Sequence, residues 1–172
     1  MAKIFAIYIG GRTDTSLIEL HDMRFVIADS IEETYPVLKE KWWGKPENLH
    51  IDCWGELNSA DGHNITLKSE PSESENRLYF VNLGGYDPEN FTELHKNVFV
   101  VVPTESKAKV RALKKILDWK SHHKDYLHDV ENVFSLEEVA REKSLHIHLE
   151  ETANPVPFTF KYGYHPIGKK AA

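Results

Sequence analysis

The apolar positions near the start of the chain predict two strands followed by a helix. Residues 3–11 are almost continuously apolar and end in two glycines, which permit a turn. After a polar loop, residues 23–29 form a second apolar run. Ser30 and Glu33 then have the spacing of a helix-capping box. Apolar residues follow at spacings of four, three and four, which places one stripe on a helix: Ile31, Tyr35, Leu38 and Trp42.

Two more strands complete the predicted unit. Residues 48–57 and 63–68 have strand patterns, and the turn signal Asp61-Gly62 lies between them. The unit is therefore β-β-α-β-β. Strands joined by short loops usually pair antiparallel, so we predict an α+β fold with an antiparallel or mixed sheet and helices packed on one face.

The second half of the chain repeats the first. Between 5–27 and 79–101, seven of 23 positions are identical without a gap, at an offset of 74 residues. Later segments align only with insertions, as when Leu49-His50 is paired with Leu127-His128. The repeat predicts two tandem pseudo-symmetric β-β-α-β-β units. Their bounds are a first unit over 1–68, a polar linker over 69–76, a second unit over 77–151 with an insertion near 121–143, and a tail over 152–172.

Several motifs together resemble one bacterial family. The second half contains the run 78–86 followed by Glu93-Leu94-His95, and the first half contains Glu19-Leu20-His21-Asp22, Leu49-His50-Ile51-Asp52 and Asp61-Gly62. In this order they resemble the family catalogued as domain of unknown function 1543, over about residues 4–150. The resemblance implies a bacterial, often duplicated, soluble unit. It implies no activity and no catalytic residue.

Composition excludes some classes of partner. The net charge of −6 at pH 7 argues against general binding to nucleic acid or to an anionic membrane surface. No apolar run approaches the roughly 20 residues that span a bilayer. A single cysteine, Cys53, forms no intrachain disulfide, which fits a reducing compartment. We therefore expect a cytoplasmic protein that binds neither nucleic acid nor membrane.

The duplicated Glu-x-His pairs are the candidate catalytic residues: Glu19, His21, Glu93 and His95. Residues two apart on a strand point the same way, so the carboxylate and imidazole of each pair lie side by side. Such a pair serves either as a general base oriented by a carboxylate or as half of a metal site. The alternative is a hydrogen-bonded pair that pins the Gly-Gly loop to the sheet.

A second group of polar residues could join these pairs if the strands are neighbours. His50, Asp52 and His128 are the candidate ligand-binding residues. Regular alternation along this strand would place Cys53 on the face of Ile51 rather than that of Asp52, as a small buried residue.

Sequence spacing also indicates three weaker candidate metal ligands, which are His146, His148 and Glu150. They alternate on one predicted strand face, which is a recurrent ligand geometry. The solvated face of an antiparallel sheet gives the same alternation. We therefore expect no metal and no cofactor.

The sequence favours a non-catalytic binding or self-association module, because no strong catalytic signature is present. Its partner would be a protein, a small ligand or a second copy of the chain. The alternative is an enzyme of the hydrolase or lyase type that uses the duplicated Glu-x-His pairs.

Overall fold

The computed structural model describes residues 2–86, 89, 91–115 and 129–168. It divides into two compact units, one formed by Met1–Ser59 with Val156–Ala172 and the other by Ala60–Pro155. The predicted α+β class is confirmed, and the strand pairs of the described residues are antiparallel. The elements are β1 (Lys3–Gly11), β2 (Leu20–Ala28), α1 (Tyr35–Lys41), β3 (His50–Glu56), β4 (Ser59–Ala60), β5 (His63–Lys68), β6 (Arg77–Tyr86), β7 (Glu93–Val102), α2 (Glu105–Lys115), β8 (Asp129–Ser135), α3 (Glu137–Glu142), β9 (His146–Glu151) and β10 (Phe160–Pro166).

Unit 1 is built on a four-stranded sheet of order β10-β3-β1-β2. Alternate residues of β1 project from one face and are almost fully buried: Phe5, Ile7 and Ile9. These residues pack with Leu38 of α1 and with Ile51 of β3 in one core cluster. The helix begins at Tyr35 with Pro36 in its first turn, where a missing amide hydrogen costs no helical bond.

A β-bulge interrupts the pairing of β1 with β3. Tyr8 is opposite Cys53 and Ile9 is opposite Ile51, so Asp52 is the extra residue on β3. Cys53 therefore shares the face of Tyr8, and the expectation that it would share the face of Ile51 is wrong. Simple alternation fails here because the bulge adds one residue to the strand.

The main sheet of unit 2 has the order β7-β6-β8, and its central strand follows the same plan as β1. Tyr79, Val81 and Leu83 are buried on one face and pack with Ala108 and Ala112 of α2. The pairing of β6 with β8 also shifts at a bulge, between Asn82 and Leu83. Glu131 is the extra residue, as Asp52 is in unit 1.

The compact units differ from the units read from the sequence in β5 and in β10, which lies in unit 1 rather than in a separate tail. β5, which the sequence assigns to the first repeat, pairs with β9 within unit 2. The polar stretch 69–76 between β5 and β6 has no regular structure and is exposed or half-buried.

In the tail, the alternating aromatic residues Phe158, Phe160, Tyr162 and Tyr164 predict an edge strand from the sequence. The structure confirms it as β10, which pairs with β3. Of the predicted insertion, residues 121–128 lie outside the described residues. Within the part of the chain that the structure describes, every helix is too short or too polar to cross a lipid bilayer.

Candidate metal centre

The first Glu-x-His pair lies beside His50 because both strands flank β1. Gly10 of β1 is opposite His21 on β2 and opposite His50 on β3. Directly opposed residues share a sheet face, so the two imidazoles lie on either side of the same glycine. The sequence hypothesis that His50 and Asp52 could join the Glu-x-His pair thus has a structural basis in unit 1.

Four side chains meet above Gly10, and we call Glu19, His21, His50 and Asp52 the unit 1 cluster. Nε2 of His21 lies 3.6 Å from Oε2 of Glu19 and 3.3 Å from Oδ2 of Asp52. Nε2 of His50 lies 3.3 Å from Oε1 of Glu19 and 3.4 Å from Oδ1 of Asp52. Each imidazole nitrogen therefore faces both carboxylates.

The cluster needs a glycine beneath it. A Cβ atom at position 10 would lie 2.7 Å from Nε2 of His50 and 2.9 Å from both Oδ2 of Asp52 and Cδ2 of His21. Real Cβ atoms essentially never approach other atoms so closely, so any side chain at this position would displace the cluster.

His50 is held with one ring nitrogen directed into the cluster. Its side chain is 1% exposed, and Nδ1 lies 2.9 Å from the carbonyl oxygen of Asn48. A carbonyl can only accept, so Nδ1 donates the hydrogen bond. Nε2 of His50 and Oδ2 of Asp52 are buried and have no hydrogen-bond partner. Buried polar atoms are normally satisfied, so these two atoms point to a missing partner.

Aromatic rings cover both imidazoles. The ring of Tyr8 stacks on His21 with a centroid distance of 5.2 Å and an interplanar angle of 2°. The ring of Tyr164 lies on His50 with a centroid distance of 4.4 Å. These rings exclude water from parts of the cluster and strengthen its internal electrostatics.

Burial and nearby negative charge both raise the pKa values of two residues next to the cluster, Tyr8 and Cys53. The pKa of Tyr8 is raised, first by burial and then by the charge of Asp52. The pKa of the Cys53 thiol is raised for the same two reasons. Within the described residues, neither Glu19 nor Asp52 forms an ion pair with a lysine or arginine. Two carboxylates therefore lie together without a fixed cationic side chain.

Three residues of the cluster have the spacing of metal ligands. Ligand atoms of Glu19, His21 and His50 lie within 4.8 Å of one another. A tetrahedral Zn²⁺ with bonds of about 2.0–2.1 Å separates its ligand atoms by about 3.3–3.4 Å. The four nitrogen–oxygen distances of the cluster are 3.3–3.6 Å, but each carboxylate faces the two imidazoles with different oxygen atoms, so one oxygen of each would have to turn toward the ion.

The second Glu-x-His pair meets Glu131, the bulge residue of β8, and we call Glu93, His95 and Glu131 the unit 2 cluster. Nδ1 of His95 lies 3.0 Å from Oε2 of Glu131, whereas Nε2 lies 3.8 Å from Oε2 of Glu93. A hydrogen bond to Glu93 raises the pKa of Tyr86, so this carboxylate also has a partner within the protein. The His95 side chain is 48% exposed.

The remaining candidate residues lie elsewhere. His128 is outside the described residues. In the strand register of unit 2, Asp129 is opposite Gly84, the position that corresponds to His50 opposite Gly10 in unit 1. His146, His148 and Glu150 lie along β9, opposite Lys68, Thr66 and Asn64. Nε2 of His148 lies 2.8 Å from the carbonyl oxygen of Glu70. In the described ranges, groups with metal-site spacing occur only in the unit 1 and unit 2 clusters.

Sequence reasoning missed four contributors: Tyr8, Glu131, Tyr164 and the carbonyl of Asn48. The bulge that brings Glu131 to His95 leaves no clear signal in the sequence. Tyr164 belonged to an alternation of aromatic residues in the tail, which predicted an edge strand but not the contact with His50.

Comparisons with known proteins found one matching family model and a similar solved structure. A family model described as Domain of Unknown Function (DUF1543) matches residues 16–67, which contain all four residues of the unit 1 cluster. A solved structure, that of protein Il1583 from Idiomarina loihiensis, is similar with a TM-score of 0.73 and 30% sequence identity. The similarity covers 97% of this chain and 99% of that one. No curated protein matches the chain.

Proposed function

We propose that this chain, which belongs to the Domain of Unknown Function (DUF1543) family, is a non-catalytic metal-binding module that holds one divalent transition-metal ion in the unit 1 cluster. The observation that carries the proposal is the buried, unpartnered Nε2 of His50, directed at two carboxylates and a second imidazole. The proposal departs from our sequence-based expectation of no metal, although the same analysis considered each Glu-x-His pair as half of a metal site.

The charge and donor types favour a metal ion as the missing partner. With Nδ1 of His50 donating to Asn48, a neutral imidazole directs its Nε2 lone pair toward the carboxylates. Lone pairs and carboxylates repel one another unless a cation lies between them. A hydrogen bond from the other ring nitrogen to a carbonyl is also the usual way in which proteins orient a metal-binding histidine.

The donor set favours Zn²⁺ and its neighbours in the first transition row over Mg²⁺ or Ca²⁺. Imidazole nitrogen suits zinc, copper, iron and nickel, whereas Mg²⁺ and Ca²⁺ prefer oxygen ligands alone. Four protein donors would complete a tetrahedral shell. Structural zinc sites are closed in this way, while catalytic sites keep a position for water or substrate. Glu19, His21 and His50 alone would leave one position open, as in catalytic sites, so the preference for binding over the enzyme alternative rests on Asp52 as the fourth donor.

Metal analysis combined with matched variants tests this function. The purified chain is incubated with Zn²⁺, dialysed and analysed for bound metal, and affinity is measured by calorimetric titration. We expect one Zn²⁺ per chain, loss of binding in His50→Ala and His21→Ala, and unchanged binding in His95→Ala and His146→Ala. Absence of stoichiometric Zn²⁺, Co²⁺ and Ni²⁺ uptake by the unaltered chain would refute the proposal.

The tandem duplication is a further part of the proposal. The equal strand orders β2-β1-β3 and β7-β6-β8 support it, as do bulges at positions 74 residues apart on β1 and β6. The presence of one cysteine supports a reducing, cytoplasmic location.

A further inference from the structure

We infer that Tyr164 is a positioning residue of the unit 1 cluster, through which the tail strand β10 controls how tightly the ion is held and how fast it leaves. This inference rests on the proposed metal-binding function and assigns a role to a residue outside the donor set. Its basis is the contact between the Tyr164 ring and the His50 imidazole, whose centroids are 4.4 Å apart.

An irregularity in the pairing of β10 with β3 brings Tyr164 to His50. Tyr162 is opposite Cys53 and His165 is opposite Ile51, which leaves Gly163 and Tyr164 against the bulge residue Asp52. Gly163 has a φ of 142°, a conformation that residues with side chains rarely adopt. The two bulges therefore lie side by side, one carrying the carboxylate ligand and the other carrying the ring.

The rest of β10 is anchored independently of this contact. The amides of Ile167 and Gly168 donate to the carbonyl oxygen of Leu49, and Ile167 is buried in the core of unit 1. Tyr162 contributes an aromatic ring that is 83% exposed on the same strand. The tail can therefore stay docked when one aromatic side chain is removed.

Tyr164 limits both the orientation and the hydration of His50. The hydrogen bond to Asn48 fixes one ring nitrogen, and the tyrosine ring restricts rotation of the imidazole about that anchor. Residue Tyr164 is 67% exposed while His50 is 1% exposed, so Tyr164 lies on the solvent side of the ligand that its ring contacts. Outer residues that orient metal ligands typically contribute 10–100-fold to affinity.

The direct test compares metal release and ligand-field spectra of single variants. Each protein is loaded with Zn²⁺, and release to a chromophoric chelator is followed in time. Each is also loaded with Co²⁺ to record the absorption spectrum of the bound ion. We expect Tyr164→Ala to release Zn²⁺ at least about tenfold faster and to shift the Co²⁺ spectrum. We expect Tyr164→Phe to behave as the unaltered chain, because the ring rather than the hydroxyl makes the contact.

Tyr162→Ala is the matched control, because it removes an aromatic ring from the same strand at a position opposite Cys53. Equal acceleration by Tyr162→Ala and Tyr164→Ala would overturn the inference, since loosening of the whole tail would explain both. If Tyr164→Ala does not fold, Tyr164→Leu retains apolar bulk without a flat ring and should still release the ion faster.

The two proposals fail in different ways. If the unaltered chain binds Zn²⁺ and Tyr164→Ala or Tyr164→Leu matches it in release rate and spectrum, the role of Tyr164 is refuted while the metal centre stands. If the unaltered chain binds no metal, the proposed function itself is refuted, and the tyrosine contact is then only packing.

Discussion

The unit 1 and unit 2 clusters share a Glu-x-His pair and a bulge carboxylate, but they satisfy their polar atoms differently. His50 of unit 1 is 1% exposed and leaves Nε2 without a partner. His95 of unit 2 is 48% exposed and pairs through Nδ1 with Glu131 at 3.0 Å. The unit 1 arrangement leaves a buried nitrogen without a hydrogen-bond partner, whereas in unit 2 the imidazole and the bulge carboxylate contact each other directly.

Two structural differences account for this contrast. In unit 1 the residue opposite the glycine of the central strand is His50, whereas in unit 2 it is Asp129. That position in unit 2 therefore supplies no second imidazole. In unit 1 a fourth strand lies along β3, whereas β8 is an edge strand in the described sheet of unit 2. A neighbouring strand and a second histidine therefore distinguish the unit 1 cluster from the unit 2 cluster, although both have metal-site spacing.

The largest difference between the clusters should appear when their glycines are replaced. In Gly10→Ala the new methyl group meets three cluster side chains at 2.7–2.9 Å, so we expect metal affinity to fall by at least about 100-fold. In Gly84→Ala the close contacts all involve the side chain of Glu131, and metal affinity should be unchanged. Calorimetric titration with Zn²⁺ measures both, and equal effects would remove the distinction between the clusters.

Zinc should stabilise the protein through unit 1 alone. A ligand at 100 times its dissociation constant stabilises the folded state by about 2.7 kcal/mol. We expect this gain in the unaltered chain and in Glu131→Gln, but not in His50→Ala. Thermal unfolding with and without Zn²⁺ makes the comparison. A gain lost in Glu131→Gln and retained in His50→Ala would place the site in unit 2 instead.

Unit 2 contains a buried carboxylate that has cationic partners, in contrast to Asp52. Asp61 is 5% exposed and pairs with Arg111 and with Lys115, and it accepts a hydrogen bond from the amide of Val101. Asp61→Asn should lower the free energy of unfolding by about 1.5–3 kcal/mol, the range for hydrogen bonds to charged groups. Denaturant unfolding tests this, with Asp14→Asn at an 83% exposed carboxylate as the control.

The same residue predicts an acid-dependent loss of stability. Burial alone would raise the pKa of Asp61, but the hydrogen bonds from Arg111, Lys115 and Val101 outweigh it and lower the pKa. A carboxylate with a lowered folded-state pKa stabilises the protein above its ordinary pKa of 3.8 and loses that contribution as pH falls further. Unfolding measured from pH 5 downward should therefore show a smaller decline in Asp61→Asn than in the unaltered chain.

The smallest effect is expected at the contact between His95 and Glu131 in unit 2. His95→Ala removes a half-exposed pair, which contributes about 0.2–1 kcal/mol in comparable cases. Metal content should not change. Denaturant unfolding and metal analysis of this variant provide the check, and a loss above about 2 kcal/mol would mean that His95 is a structural centre of unit 2.

Much of the local structure could be predicted from the sequence. The apolar run of β1 and the α+β class follow from periodicity, because alternation is a property of the local chain. The side-by-side placement of Glu19 and His21 follows from the same geometry. The helix is shorter than its predicted stripe, since α1 covers Tyr35–Lys41 and leaves Ile31 and Trp42 outside. The pairing of β5 with β9 could not be predicted in this way. Any alternating strand offers β5 the same backbone hydrogen bonds, so the local pattern does not specify which strand is its partner.

What the sequence by itself determined is which residues form strands and which polar side chains share a face. What only the tertiary structure decided is which strands are neighbours, where the bulge places Asp52 and which ring covers His50. The physical reason is that burial and strand register depend on contacts between residues far apart in the chain. The aromatic alternation of the tail predicted a strand, but only the docking of β10 on β3 brought Tyr164 to the cluster.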